Sequence, residues 1–185
     1  MADELRVAVV RGGLLAIGSE VERTVQGHAA ACLVSEEARG RRRQRDGEAH
    51  HITLVAKPEL SSMAPAQAEA LAASAASSLR AGRVVPLGLG SAAGKEGTKC
   101  WFVAVAWPEV QALRVTAGLP RAHLHITVGF DGADVHGVAK GPLQLLPLPR
   151  APAPREDWEA ALALCLRGAA APGAAAAAGG AEEQT

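Results

Sequence analysis

Two short runs in which polar and apolar residues alternate constrain this chain more than anything else, because only a β-strand sends every second side chain to the same side. The first is His51-Ile52-Thr53-Leu54 and the second is His125-Ile126-Thr127-Val128. In the second, Leu124, Ile126, Val128 and Phe130 form one apolar face, while His123, His125, Thr127 and Gly129 form the opposite one. Both runs must therefore lie in sheet, with one face packed and the face bearing His and Thr open. Two matching polar faces suggest a cleft.

Around these runs the chain reads strand, helix, strand, strand, helix, strand. Leu5 to Val10 and Leu14 to Ile17 are strand candidates on either side of the Gly12-Gly13 turn, and Ala29 to Val34 is a third. The segment Arg39 to Gly47 is so charged and glycine-flanked that a surface loop is expected. The motif strands span about Ala49 to Ala56 and Ala122 to Phe130. Between them come an alanine-rich helix from Pro65 to Arg80 and a short strand from Val84 to Leu89. Pro86 puts that strand at an edge or a bulge, and Gly88 and Gly90 read as turn residues. Cys100 to Trp107 is the most hydrophobic strand, and Pro108 to Ala117 a second helix opened by proline. The loop before Cys100 is too short for a helical crossover, which favours an α+β fold with antiparallel pairing. Leu143 to Leu146 reads as a short strand and Glu156 to Arg167 as a closing helix. Residues 1–167 are expected to form one domain, and 168–185 an Ala/Gly-rich disordered tail.

The totals exclude several function classes. Nineteen basic and nineteen acidic residues leave no formal net charge, which argues against a surface built to hold a long polyanion. Cys32, Cys100 and Cys165 lack metal-ligand or C-x-x-C spacing and read as buried free thiols of a reducing compartment. With no signal-peptide pattern and no run long enough to span a bilayer, a soluble cytoplasmic or nuclear monomer is expected, with no membrane role and no obligate protein partner. No G-x-x-x-x-G-K-S/T loop is present, so a nucleoside triphosphate site is not expected.

The paired His-x-Thr runs make the chain resemble the two-histidine (2H) phosphoesterase superfamily. More narrowly, His51-Ile-Thr-Leu-Val-Ala-Lys57-Pro-Glu-Leu60, then Val85 to Gly90, then His123 to Phe130 with Asp134 to Gly141, is similar to the Swiss Army Knife RNA-repair-like branch. The resemblance implies a bilobal pseudo-two-fold arrangement of two antiparallel β-sheets with flanking helices, each sheet giving one His-x-Thr to a shared groove. It also implies action on 2′,3′-cyclic phosphates, 2′–5′ linkages or ADP-ribose cyclic phosphates without a metal. The chain has no tyrosine, so base stacking done by Tyr in relatives must fall to Trp101, Trp107, Phe130 or nothing.

The chemistry explains why these residue types recur. Opening a cyclic phosphodiester needs a base for water and an acid for the leaving oxygen, and imidazole serves both near neutrality. A Thr two residues on lies about 6.6 Å along the same strand face, placed to donate to a phosphate oxygen. His51 and His125 are accordingly the acid–base pair, and Thr53 and Thr127 the holders of the non-bridging oxygens. Lys57, Lys140 and His123 are candidate phosphate or ribose contacts, and Trp101 and Phe130 candidate base contacts. The expected substrate is an RNA 3′ end or a nucleotide cyclic phosphate, with no cofactor. His50 is expected at the surface or in packing, and His136 exposed near the groove mouth. Three alternatives stay open: a non-catalytic RNA-end or nucleotide-binding module, a zinc hydrolase using His51, His123 and His125, and a fortuitous motif pair whose histidines lie far apart.

Overall fold

The computed structural model describes residues 5–28, 33–79 and 84–146. The expected closing helix from Glu156, the tail, Cys32, Cys165 and most of the Ala29 to Val34 segment lie outside the described residues. The strands are β1 (Arg6–Val10), β2 (Gly13–Ile17), β3 (Ile52–Val55), β4 (Val85–Ala93), β5 (Lys99–Ala106) and β6 (His125–Asp131). They form one six-stranded sheet in the order β1-β2-β3-β6-β5-β4, with every neighbouring pair antiparallel. The helices are α1 (Ser19–His28), α2 (Glu36–Asp46), α3 (Lys57–Ser61), α4 (Pro65–Ser78) and α5 (Pro108–Thr116).

The α+β antiparallel class is as the sequence implies, but the division into two sheets is corrected. Strands β1-β2-β3 and β6-β5-β4 are the two halves of a continuous sheet, joined where Ile52 pairs with Ile126. Both isoleucines are fully buried, so the seam is held by apolar side chains on the packed face. That join brings the two motif strands edge to edge.

One face of the sheet carries the helices. Leu14, Ile52, Leu54, Val103, Ile126 and Val128 pack there against Val21 and Val25 of α1, Ala38 of α2, Leu71 and Ala75 of α4, and Val110 of α5. Strand β5 is buried on both sides. Its Trp101, Val103 and Val105 face the helices, while Cys100, Phe102, Ala104 and Ala106 face a smaller cluster with Phe130 and Val135, which explains its unbroken apolar sequence. The chain after β6 folds back over this second face and ties to β4 through a bridge between Gly90 and Leu145.

Three local expectations are corrected. The arginine-rich segment is helix α2, not a loop. Ser35 caps it by accepting from the Ala38 N–H (3.1 Å), acidic Glu36 and Glu37 begin it, and Arg39, Arg41 and Arg43 reach back to those glutamates. It lies flat on β6 because Gly129 has no Cβ; one built there would stand 2.9 Å from the Ala38 backbone. Strand β4 runs on through Gly88 and Gly90 rather than turning at them. Gly90 sits where a Cβ would meet the Phe102 ring at 2.7 Å, and Pro86 lies on an edge strand beside a register shift. The stretch after Gly141 is a 3₁₀ turn (Pro142–Gln144) followed by the bridge at Leu145, not a strand.

Candidate active site

The pairing of Ile52 with Ile126 fixes the relation of the two motifs. In that antiparallel register His51 lies across from Thr127, and Thr53 lies across from His125. Isoleucine side chains point to the helices, so all four polar side chains point to the open face. The two histidines stand on the diagonal of this square, a spacing of about 7–8 Å for such positions.

His125 is held from several sides. Its Nδ1 lies 3.1 Å from the carbonyl oxygen of His123, which can only accept, so this bond requires the proton on Nδ1 and leaves Nε2 of the neutral ring as an acceptor. The ring meets the edge of Phe102, with centroids 5.7 Å apart at 71°. Burial pushes the His125 pKa down to about 4, with the Lys140 ammonium adding to the effect, so the ring is neutral at physiological pH. His51 is half-buried and also titrates below the usual histidine value. Burial dominates there too, opposed by the nearby Asp46 carboxylate.

A cluster of charges borders the histidines. Asp134, whose side chain is 6% exposed, accepts from Lys140 Nζ at 3.2 Å and from the Arg45 guanidinium, and its second role is to cap the Val135 N–H at 2.8 Å. Despite burial, Arg45 and Lys140 hold the Asp134 carboxyl below the ordinary carboxylate range. Arg45 also grips Asp46 through Nε (2.8 Å) and Nη2 (2.6 Å) and lies over the Phe130 ring, with Cζ 4.8 Å from its centroid. Arg42, buried at 3% exposure, donates to the carbonyls of Gly47, Glu48 and Ala49 and so fixes the loop that delivers His51.

A family model described as "Swiss Army Knife, 2H phosphoesterase domain" matches residues 21–136, a stretch that contains both histidine motifs and more than half the chain. The chain belongs to this Swiss Army Knife 2H phosphoesterase family. No curated protein and no solved structure matches it. Membership in a 2H phosphoesterase family assigns the chain, at a coarse level, a phosphodiesterase-type hydrolase activity.

The sheet face that bears the two histidines gathers some of the residues singled out in the sequence and leaves others aside. Lys140, 6% exposed, lies close enough to shift His125. Alternation puts Phe130 on the helix-facing side of the strand, yet it joins Cys100 and Phe102 on the groove side. The cause is a bulge: Trp101 faces Gly129 while Phe102 faces Thr127, so Val128 is an extra residue and the alternation inverts beyond it. Trp101 is a correction in the other direction. It packs in the helix-side cluster and cannot line the groove, and Trp107 is fully buried on that side as well. Lys57 is exposed at the start of α3, its stem against the Gly12 turn, away from the histidine square. His123 is exposed, with its ring against Gly141, and its contribution to His125 comes from its backbone carbonyl.

His50 faces away from His51 and is bound by Glu22, which accepts from its backbone N–H (2.6 Å) and sits 2.7 Å from Nδ1. His136 is exposed, 3.7 Å from Asp134, and with it lines an open pocket bordered by Arg41, Arg45 and Phe130. Among the described residues no group of three His, Cys, Asp or Glu is arranged to hold a metal, so His51, His123 and His125 do not converge as the zinc alternative requires. Sequence reasoning missed Asp134, Arg45, Asp46 and Phe102 as neighbours of the histidines. Asp134 sits in a glycine-flanked loop with no period to reveal its direction, and Arg45 is hidden inside a basic run that reads as a loop.

Proposed function

We propose that this protein is a metal-independent phosphodiesterase that hydrolyses a 2′,3′-cyclic phosphate or a 2′-linked phosphodiester on an RNA end or a small nucleotide. The observation that supports this reading best is the diagonal pair His51 and His125 on adjoining strands, each with a threonine across the seam. His125, neutral and with Nδ1–H engaged, takes the proton of the attacking water on Nε2. As the water oxygen bonds to phosphorus, the bond from phosphorus to the leaving ribose oxygen breaks, and protonated His51 supplies that oxygen with a proton. Thr53 and Thr127 donate to the non-bridging oxygens, and Lys140 adds positive charge beside His125. The two histidines end with their protonation exchanged and are reset by solvent.

The test is direct. The full chain is incubated with a nucleoside 2′,3′-cyclic phosphate in excess EDTA, and phosphorus NMR follows the cyclic diester and the monoester. Conversion that survives chelation and disappears in His51→Ala and in His125→Ala supports the reading. Saturable binding with no monoester formed makes the protein a nucleotide-binding module instead, and loss of turnover under EDTA restores the metal alternative.

A further inference from the structure

An open groove of about 640 Å³ has Arg41, Gln44, Arg45, Phe130, Asp134 and His136 in its lining, and none of the four motif side chains. The chain has no tyrosine, and Trp101 and Trp107 are buried behind the sheet, so no ring of these two lies open to this groove. What the groove does offer is a layered pair. Phe130, 5% exposed, forms the lower layer, and the Arg45 guanidinium lies over it with Cζ 4.8 Å from the ring centroid. The guanidinium is pinned in its own plane: Nε and Nη2 donate to Asp46, and Nη1 donates to Asp134. Two carboxylates already balance its charge, so another anion gains little by approaching it. Its side chain is nonetheless 30% exposed. A charge-balanced, immobilised planar cation that is still partly open to solvent suits an aromatic ring, and nucleobases stack on guanidinium planes as they do on aromatic side chains.

We infer that Arg45, layered on Phe130, is the stacking platform for the nucleobase of the nucleotide whose phosphodiester lies between His51 and His125. The platform borders that position: Phe130 shares a buried cluster with Phe102, whose ring edge meets His125 at 5.7 Å, and Asp134 joins Arg45 to Lys140. The substrate is thereby narrowed to a base-bearing nucleotide or RNA end rather than a bare sugar cyclic phosphate. The location of the phosphodiester rests on the hydrolase reading above; the platform itself rests on the Arg45–Phe130 geometry.

Two measurements on the full chain separate the platform from the hydrolase reading. The first compares kcat/KM for a nucleoside 2′,3′-cyclic phosphate with that for 1-O-methylribose 2,3-cyclic phosphate, in the wild type and in Arg45→Lys, whose ammonium keeps the charge without the plane. A preference for the base-bearing substrate of about tenfold or more is expected in the wild type, from the usual strength of base stacking, and a ratio near one in Arg45→Lys. The ratio is read within each protein, so partial unfolding of the variant cancels. A wild-type ratio near one, or a ratio unchanged in Arg45→Lys, overturns the platform. The second follows the Arg45 Nε–H resonance by NMR during titration with a nucleoside 3′-monophosphate and with ribose 5-phosphate. A ring-current shift with the nucleotide alone supports the platform even if no cyclic phosphate is hydrolysed, in which case the hydrolase reading alone falls. Turnover with no base preference and no shift overturns the platform and leaves the hydrolase standing, and absence of both turnover and shift removes both.

Discussion

Replacing Asp134 by Asn tests the charge cluster that borders the histidines. The carboxylate is 6% exposed and accepts from Lys140, itself 6% exposed at 3.2 Å, and from Arg45. In Asp134→Asn, Arg45 keeps both bonds to Asp46, but the Lys140 ammonium loses the one carboxylate it is bound to among the described residues. Removing one partner of a buried pair costs about 3–5 kcal/mol, a large share of the ~5–15 kcal/mol that a domain of this size holds. The melting temperature should fall by about 10–15 °C. Lys140→Met should cost less, because Asp134 remains satisfied by Arg45 and the Val135 N–H, and the double variant Asp134→Asn/Lys140→Met should be more stable than the sum of the singles implies by about 2 kcal/mol. The pH dependence follows from the sign of the shift. Asp134 has a folded pKa below its unfolded value, so its contribution is present above about pH 4 and lost as pH falls through the folded value; the gap between wild type and Asp134→Asn should close in acid. Urea unfolding of the four proteins at pH 7 and pH 3 is the assay. A single-variant cost below about 1 kcal/mol, or strict additivity in the double, refutes the buried pair as the organiser of this corner.

Other expectations concern the reaction and the seam of the fold. With His125 neutral down to about pH 4 and His51 required in its charged form with a pKa below the ordinary histidine value, kcat/KM should peak on the acid side of neutrality and decline as pH rises through the His51 pKa; a rate that climbs between about pH 7 and 8 contradicts the assignment of acid and base. Thr53→Ala and Thr127→Ala should each slow single-turnover hydrolysis by about tenfold to a thousandfold without a matching loss of stability, measured by quench-flow and thermal melting. Gly129→Ala drives a methyl against the Ala38 backbone at 2.9 Å and should destabilise by about 1–3 kcal/mol in urea; an unchanged midpoint means α2 does not need that close approach.

The parts of this molecule that can be read from its sequence are those governed by local period. Alternation places both motif strands, short apolar runs place β1, β2 and β5, and proline at the first helical position announces α4 and α5. Helix α1 carries a signal in the spacing of Val21, Thr24 and Val25, all buried, and α2 in Ser35 followed by Glu36 and Glu37; in α2 the density of arginine masks the pattern. Contacts made across the fold are closed to such reading. A period-two strand assumes an even pleat, so the bulge at Val128, which turns Phe130 into the groove, leaves no trace in the alternation. Likewise nothing local links Arg45 to Asp134, whose meeting depends on α2 lying on β6 while the following loop returns beneath it. The motif pair singles out the side chains, and the three-dimensional seam at Ile52 and Ile126 puts them on one face.

Catalysis as proposed requires His51 and His125 to flank one phosphoryl group. Titrating the full chain with a nucleoside 3′-monophosphate while recording the ring nitrogen resonances of its histidines probes that arrangement itself. The Nε2 signals of His51 and His125 should move together along one binding curve, while His50, held by Glu22 on the far side, does not move. Movement of one ring without the other, or two curves with separate midpoints, contradicts a shared phosphoryl group.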